Sequence, residues 1–256
     1  MNTAKLEQIK AQISKLDNLI VAFSGGVDSS LLAKIAGDVL GKKALAVTIK
    51  THYMSETEDA ISFAKMHGIN HQILELPIHK EMKNNPNLRC YICKKYLFTE
   101  ILKFAQNLGF SNLADGTNKD DLNEFRPGLK ASSELGVISP LKNLTKDEVR
   151  ALSKELGLST FDKPSNSCVL TRFPYNYKFS ECDINLVKKV ENLLKENKLK
   201  NIRARFDGVN LKLEMSYKDM VKFSANFKDL VKEIDEILGG GEILLDLKGL
   251  RNEVLK

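Results

Sequence analysis

The chain has 256 residues, of which 43% are hydrophobic, enough to bury a sizeable core as one large domain or two unequal ones. No apolar run approaches the roughly 20 residues of a membrane span, and residues 1–16 lack the apolar block of a secretory signal, so we expect a cytoplasmic protein without a membrane partner. The net charge is +6, but acidic and basic residues are interspersed, and we do not expect a nucleic-acid partner.

Strand-like apolar runs alternate with helical patterns in the first half of the chain. The strand-like runs cover residues 19–23, 44–49, 71–76 and 112–114, and the helical patterns cover 30–40, 56–67 and a longer stretch after Cys90. This alternation predicts an α/β fold, a Rossmann-like parallel sheet with helices on both faces. Ligands of such sheets bind at the carboxyl ends of the strands.

A second pattern begins near Ser180, after the periodicity is interrupted around residues 163–175. It predicts a helix over 183–197, strands over 202–206 and 211–215, a helix over 218–238 and a strand over 243–247. These elements form a small α+β domain. We therefore predict a nucleotide-binding domain over residues 1–176 and a C-terminal domain over 177–256, which binds substrate or forms a homo-oligomer.

A glycine-rich loop follows the first strand and opens the first helix of the sheet. Two glycines let the backbone approach an anion, the next amides point at it, and the helix dipole adds partial positive charge. The loop fits neither G-x-x-x-x-G-K-[ST] nor G-x-G-x-x-G. It therefore predicts a phosphate site formed by Ser24, Gly25, Gly26, Val27, Asp28 and Ser29. The alternative is a glycine turn with a Ser or Asp cap.

A polar segment, residues 115–118 (DGTN), follows the fourth strand, which puts it at the same edge of the sheet as the loop. The loop itself, SGGVDS, resembles the PP-loop of the ATP pyrophosphatases, which split ATP into AMP and pyrophosphate. Four further segments match one family in order: RCYICK (89–94), 115–141, KPSNSCVLTRFPY (163–175), and Arg203-x-Arg205 with Glu214. Together they resemble the LarE type of ATP-dependent sulfur transferase, which makes the nickel-pincer cofactor of lactate racemase.

This resemblance implies that ATP adenylates a carboxylate of a pyridinium mononucleotide, which leaves as a thiocarboxylate. It assigns the nucleotide to the loop together with Gly116, Thr117, Asp121 and Arg126, and Mg²⁺ to Asp28 and Asp121. It assigns the substrate to Glu191, Arg203, Arg205 and Glu214. Two alternatives stay open: Asp120 and Asp121 as helix caps, and the two arginines as an exposed charged strand.

The cysteines give two versions of the sulfur chemistry. A thiolate near an arginine is a strong nucleophile, and the resemblance makes Cys168 the sulfur-delivering residue, with Arg172 beside it in the sequence to lower the thiol pKa or to hold a phosphate. In the first version Cys168 gives up its own sulfur. In the second, favoured here, Cys90, Cys93 and Cys168 hold a [4Fe–4S] cluster whose fourth iron takes hydrosulfide from a sulfur donor. The alternatives are a zinc site that includes Cys182, a free cysteine pair, and Arg172 as a solvated surface residue.

Three other functions share parts of these motifs. A tRNA thiolase would also adenylate a carbonyl and can use three cysteines. An ammonia-using ligase of the NAD or GMP synthetase type shares SGGVDS but needs no cysteines. A non-enzymatic AMP- or ATP-binding regulator would keep the loop, yet would not need Cys168, Arg203 and Arg205 together.

Overall fold

A computed structural model describes residues 2–54, 57–123, 126–164 and 167–250. The chain divides into two compact units, which we describe separately. The first comprises Met1–Thr51, Glu56–His79 and Leu88–Asn166, and the second comprises His52–Ser55, Lys80–Asn87 and Ser167–Lys256. The predicted domain boundary after residue 176 and the role of the C-terminal domain stay predictions.

The first unit is built on a four-stranded parallel sheet. Its strands are β1 (Leu19–Ala22), β2 (Ala44–Lys50), β3 (His71–Glu75) and β4 (Leu113–Ala114), in the order β3-β2-β1-β4. The central strands β1 and β2 are buried along nearly their whole length, as expected of parallel strands covered by helices. The predicted α/β fold is therefore confirmed.

The helices of the first unit flank this sheet. They are α1 (Asn2–Ile13), α2 (Val27–Leu40), α3 (Thr57–Met66), α4 (Arg89–Asn107), α5 (Lys119–Leu122), α6 (Pro127–Glu134) and α7 (Lys146–Glu155). Helix α2 is deeply buried, and its Leu31, Leu32 and Ile35 join the strands in one apolar core. Helices α5 to α7 form in the block 115–155, where the helix signal taken from the sequence was capping by Asp120 and Asp121.

The second unit contains a three-stranded sheet with helices. Its strands β5 (Ile202–Phe206), β6 (Leu211–Met215) and β7 (Ile243–Leu245) lie in that order, with β5 antiparallel and β7 parallel to β6. Helix α8 (Glu181–Glu196) precedes this sheet, and helices α9 (Tyr217–Ala225) and α10 (Phe227–Leu238) lie between β6 and β7. A 3₁₀ turn, Val169–Arg172, precedes them in the chain.

The predicted single helix over 218–238 is wrong, because α9 ends at Ala225 and α10 begins at Phe227. The amide of Asn226 donates to the carbonyl of Phe223, a bond that tightens the last turn and closes α9. Asparagine is a poor residue inside a helix, since its side chain competes for backbone groups. Among the described helices, none is both long and apolar enough to cross a membrane.

Candidate functional site

The glycine-rich loop joins β1 to α2 at the carboxyl edge of the sheet. Gly25 has a φ of +74°, and a Cβ at this position would lie 3.1 Å from Ala60 of α3, so the turn needs glycine. Helix α2 begins at Val27, a little earlier than predicted, and so includes Asp28 and Ser29 in its first turn. The amides of a first turn have no partner within the helix. The loop therefore has the geometry of an anion site.

Asp28 is held by two side chains from elsewhere in the first unit. Its Oδ1 accepts from Asn118 Nδ2 at 2.9 Å, and its Oδ2 pairs with Lys146 Nζ at 2.5 Å. The Asp28 side chain is still 22% exposed. Carboxylate oxygens suit Mg²⁺, which binds through one or two carboxylates plus substrate phosphates, so Asp28 fits such an ion. Lys146 was not predicted, because 118 residues separate it from Asp28.

Gly116 brings the DGTN segment against the start of α2. A Cβ on Gly116 would lie 2.9 Å from the Ser29 nitrogen and 3.0 Å from the Asp28 Cβ. Its φ is not positive, so glycine is required here by the close approach and not by the backbone conformation. The two segments thus meet at one edge of the sheet, as their positions after β1 and β4 predicted.

Asp115, the first residue of DGTN, is a buried hydrogen-bonding centre. Its Oδ2 accepts from Lys94 Nζ at 2.8 Å and from Ser132 Oγ at 3.0 Å, and its Oδ1 accepts from Ser139 Oγ at 2.7 Å. Burial alone would raise the pKa of Asp115, but the Lys94 ammonium and the hydrogen bonds hold it below its usual value. Asp115 therefore stays ionised and fixes the DGTN segment to helices α4 and α6.

Asp120 and Asp121 make helix-capping contacts. Asp121 Oδ2 accepts from the Asn118 amide at 3.0 Å, while its Oδ1 pairs with Arg126 Nη1 at 2.7 Å. Asp120 Oδ2 accepts from the Lys146 amide at 2.7 Å. The structure thus has the capping geometry that the sequence left as an alternative. Roles for Asp121 at Mg²⁺ and for Arg126 and Thr117 at the nucleotide stay predictions.

Lys163, from the KPSNSC segment, borders the glycine-rich loop. Its Nζ donates to the Gly25 carbonyl at 3.2 Å and to Asp59 Oδ2 at 2.9 Å. No local signal in the sequence predicts this contact, since Lys163 lies 138 residues from Gly25. The next two residues of the segment after Pro164, Ser165 and Asn166, lie outside the described residues.

The predicted cluster ligands fall in both units. Cys90 and Cys93 lie one turn apart at the start of α4 in the first unit, and Cys168 is exposed in the second. Within the described part of the chain, no three His, Cys, Asp or Glu side chains are grouped as a metal site. The [4Fe–4S] cluster therefore stays a prediction, and we derive no reaction step through one.

Cys168 lies immediately before the 3₁₀ turn, and its carbonyl accepts from the Thr171 amide at 2.9 Å and from Thr171 Oγ1 at 2.7 Å. Lys188 of α8 lies within electrostatic range of the thiol. Burial lowers the pKa of Lys188, and the neighbouring Cys168 opposes this shift. The Lys188 ammonium is held in place by the His52 carbonyl, to which it donates at 2.7 Å. Cys182 is exposed in the first turn of α8.

Arg172 is buried, so its interpretation as a solvated surface residue is wrong. Its side chain is 1% exposed, and its Nε donates to Glu191 Oε1 at 2.6 Å. Its Nη1 donates to Ser167 Oγ at 2.7 Å and to Thr171 Oγ1 at 2.9 Å. Arg172 and Glu191, predicted to act on the thiol and on the substrate, thus contact each other. Their roles at a ligand stay predictions.

Arg203 and Arg205 lie on the same face of β5, because side chains alternate between the two faces of a strand. Arg205 Nε pairs with the buried Glu214 Oε1 at 2.6 Å, which also lies 3.1 Å from Lys212 Nζ. Burial lowers the pKa of Arg203, and the nearby Arg172 charge adds to this. Among the described residues here, Arg172, Arg203, Arg205 and Lys212 meet three carboxylates, those of Glu191, Glu214 and Asp246. This leaves one positive charge in excess, which suits a phosphate.

Comparisons with known proteins identify the family. The sequence profile of a family described as NAD synthase matches residues 3–90. An uncharacterised protein of Synechocystis sp. is 35% identical over 98% of this chain and 97% of its own length. The pyridinium-3,5-bisthiocarboxylic acid mononucleotide synthase of Lactiplantibacillus plantarum is 33% identical over 97% of this chain and 92% of its own length. The chain belongs to this LarE-type family.

A match to a GMP synthase covers a smaller part of this chain than the LarE-type match does. A glutamine-hydrolysing GMP synthase subunit of Thermoplasma volcanium is 32% identical, but over 57% of this chain and 53% of its own length. The LarE-type match, by contrast, extends over 97% of the chain.

Proposed function

We propose that this chain is an ATP-dependent sulfur transferase that converts a carboxylate of a pyridinium mononucleotide into a thiocarboxylate, with release of AMP and pyrophosphate. One observation carries the proposal, namely the match to the mononucleotide synthase over 97% of this chain and 92% of that enzyme. The geometry of each unit supports it. The first unit has a glycine-rich loop at the start of a helix, and the second has an exposed cysteine together with an arginine-rich strand.

In the first step, a substrate carboxylate oxygen attacks the α-phosphorus of ATP, the bond to the β-phosphate breaks, and pyrophosphate leaves. The first-turn amides of α2 and the ammonium groups of Lys146 and Lys163 would stabilise the charge of the leaving pyrophosphate. Asp28 would hold Mg²⁺, which neutralises phosphate charge. Lys146 would then turn from Asp28 towards the phosphates. Both the Lys146 ammonium and the Mg²⁺ at Asp28 would then contact the pyrophosphate.

In the second step, a sulfur nucleophile attacks the carbonyl of the acyl adenylate, the carbonyl–phosphate bond breaks, and AMP leaves. Lys188 lies within electrostatic range of Cys168 and would attract an anionic sulfur nucleophile there. If Cys168 itself attacks, a thioester forms. A base then removes the Cα proton, the Cα–Cβ double bond forms as the Cβ–Sγ bond breaks, and a thiocarboxylate and dehydroalanine remain. If sulfide attacks, the thiocarboxylate forms directly and the polypeptide keeps its sulfur.

In this proposal the substrate phosphate binds at β5, the arginine-rich strand of the second unit. Arg203 and Arg205 share one face of β5, and the excess positive charge around them favours a doubly charged phosphate. Glu214 holds the Arg205 guanidinium through their 2.6 Å ion pair. A guanidinium that is already oriented loses less side-chain entropy when it binds an anion.

The adenylation step can be tested apart from sulfur transfer. Wild-type protein should exchange labelled pyrophosphate into ATP when Mg²⁺ and pyridinium-3,5-dicarboxylic acid mononucleotide are present. Cys168→Ala should keep this exchange, since the thiol acts only after adenylation, and Asp28→Ala should lose it. Production of ADP and phosphate, or full exchange by Asp28→Ala, would refute the assignment.

The competing function is an ammonia-using ligase, favoured by the NAD synthase profile over residues 3–90 and by the partial likeness to GMP synthase. Such an enzyme would form an amide from the same acyl adenylate. Supplying ammonium in place of sulfide distinguishes the two functions. We expect no amide above the uncatalysed level, and efficient amide formation would replace the sulfur transferase proposal.

The sulfur source is a separate question with its own experiment. We propose the three-cysteine [4Fe–4S] version, in which Cys90→Ala, Cys93→Ala and Cys168→Ala each abolish the iron and acid-labile sulfide of anaerobically purified protein. Cys182→Ala is the matched control and should leave both unchanged. Iron-free wild-type protein that loses the mass of H₂S at Cys168 after one turnover would establish the sacrificial version instead.

A further inference from the structure

All three guanidinium nitrogens of Arg172 are directed at protein acceptors. Nε and Nη2 face the two oxygens of Glu191 at 2.6 and 3.3 Å, and Nη1 donates to Ser167 Oγ at 2.7 Å and to Thr171 Oγ1 at 2.9 Å. Ser167 and Thr171 lie on either side of Cys168 in the sequence. One buried side chain therefore fixes both ends of the segment that carries the exposed thiol.

The partner of Arg172 reaches on to the arginine-rich strand. Glu191 Oε1 also accepts from the Ala204 amide at 3.1 Å, and Ala204 lies between Arg203 and Arg205 on β5. Arg205 makes a second connection, because its Nη1 donates to the Thr171 carbonyl at 2.7 Å. The cysteine segment and the strand thus have two independent links within the same unit.

We propose that Arg172 is a positioning residue that holds Cys168 at a fixed place relative to the arginines of β5. This inference rests on the proposed function, since it assumes that Cys168 acts on a substrate bound at that strand. Arg172 then does not contact the thiol or a phosphate, as the sequence predicted, but controls where the thiol lies. Reacting atoms have to be placed within about 1 Å for efficient transfer, and the two links provide that placement.

The test uses Arg172→Lys in the full chain. Lysine keeps a positive charge beside Glu191, but it has no planar fork and cannot contact Glu191, Ser167 and Thr171 together. The kcat of sulfur transfer should fall by on the order of 10²-fold, while the KM for the mononucleotide stays unchanged. In hydrogen exchange, peptides covering residues 167–173 should lose protection, while those covering β5 and β6 stay protected.

Three outcomes would overturn the inference: a raised KM at normal kcat, which would make Arg172 a substrate contact; wild-type kcat and exchange; or lost protection throughout the second unit, which would indicate a general structural role. If Arg172→Lys fails to fold, the pair Arg172→Met with Glu191→Met removes both buried charges and must show the same local loss. The exchange readout needs no turnover, so it decides this inference even if the wild-type chain transfers no sulfur.

Discussion

Gly116→Ala should damage the nucleotide site through one added methyl group. The new Cβ would lie 2.9 Å from the Ser29 nitrogen and 3.0 Å from the Asp28 Cβ and carbonyl carbon, contacts with backbone that no side-chain rotation can relieve. Ordinary contacts of this kind are about 3.5 Å or more. The DGTN segment and the start of α2 therefore have to separate by roughly 0.5 Å.

This displacement has a calculable cost in stability and in rate. Adding a methyl group to a packed site costs about 1–3 kcal/mol. The shift also moves Asp28 away from Asn118 Nδ2, its 2.9 Å partner across the same contact. A misplacement of this size in a catalytic site lowers a rate by roughly 10- to 100-fold.

Gly37→Ala is the matched control, because Gly37 lies in the same helix. Apart from its neighbours and its own helix backbone, no atom of the described residues lies within 4 Å of the added Cβ. Alanine inside a helix is favoured over glycine by about 0.8–1 kcal/mol, so this variant should be more stable than wild type. Urea unfolding followed by circular dichroism gives the stabilities, and ATP–pyrophosphate exchange gives the rate. Wild-type exchange by Gly116→Ala, or equal stability changes in the two variants, would show that the close approach at Gly116 has no consequence.

Three further predictions concern charged residues. Glu191→Gln should destabilise the protein by about 3–5 kcal/mol, because it leaves the Arg172 charge buried without its partner. If urea unfolding shows a loss of less than about 1 kcal/mol, the prediction is wrong. The folded-state pKa of Asp115 is lowered, so its stabilising contribution is present above about pH 4 and lost as the pH falls through that lowered value; Asp115→Asn should therefore show a smaller loss of stability on acidification than wild type, and equal acid profiles would refute the reasoning. Arg203→Ala and Arg205→Ala should raise the KM for the mononucleotide far more than the KM for ATP, and steady-state kinetics with equal changes in both would place the pair at the nucleotide.

The sheet and the phosphate loop were predictable from the sequence because their signals are local. Apolar runs alternate with helical patterns over short windows, and Gly25 and Gly26 stand directly between β1 and α2. The strand face shared by Arg203 and Arg205 follows from the two-residue period alone. These features need no knowledge of distant contacts.

The surroundings of the site were not predictable, because long-range contacts decide them. The sequence assigned no role to Lys146 or Lys163, yet they contact Asp28 and Gly25 across 118 and 138 residues. The sequence did not exclude a surface position for Arg172, since its buried partner, the Glu191 carboxylate, lies 19 residues later on α8. The break at Asn226 between α9 and α10 was missed because the apolar pattern continues through it.

Direct detection of the product tests the central claim most sharply. Wild-type protein, purified anaerobically, is incubated with Mg²⁺, ATP, sulfide and pyridinium-3,5-dicarboxylic acid mononucleotide, and the products are resolved by mass spectrometry. We predict a mononucleotide in which sulfur replaces a carboxylate oxygen, formed with one AMP and one pyrophosphate per sulfur. An unchanged dicarboxylate alongside hydrolysed ATP, or an amide formed when ammonium is added, would contradict a sulfur transferase.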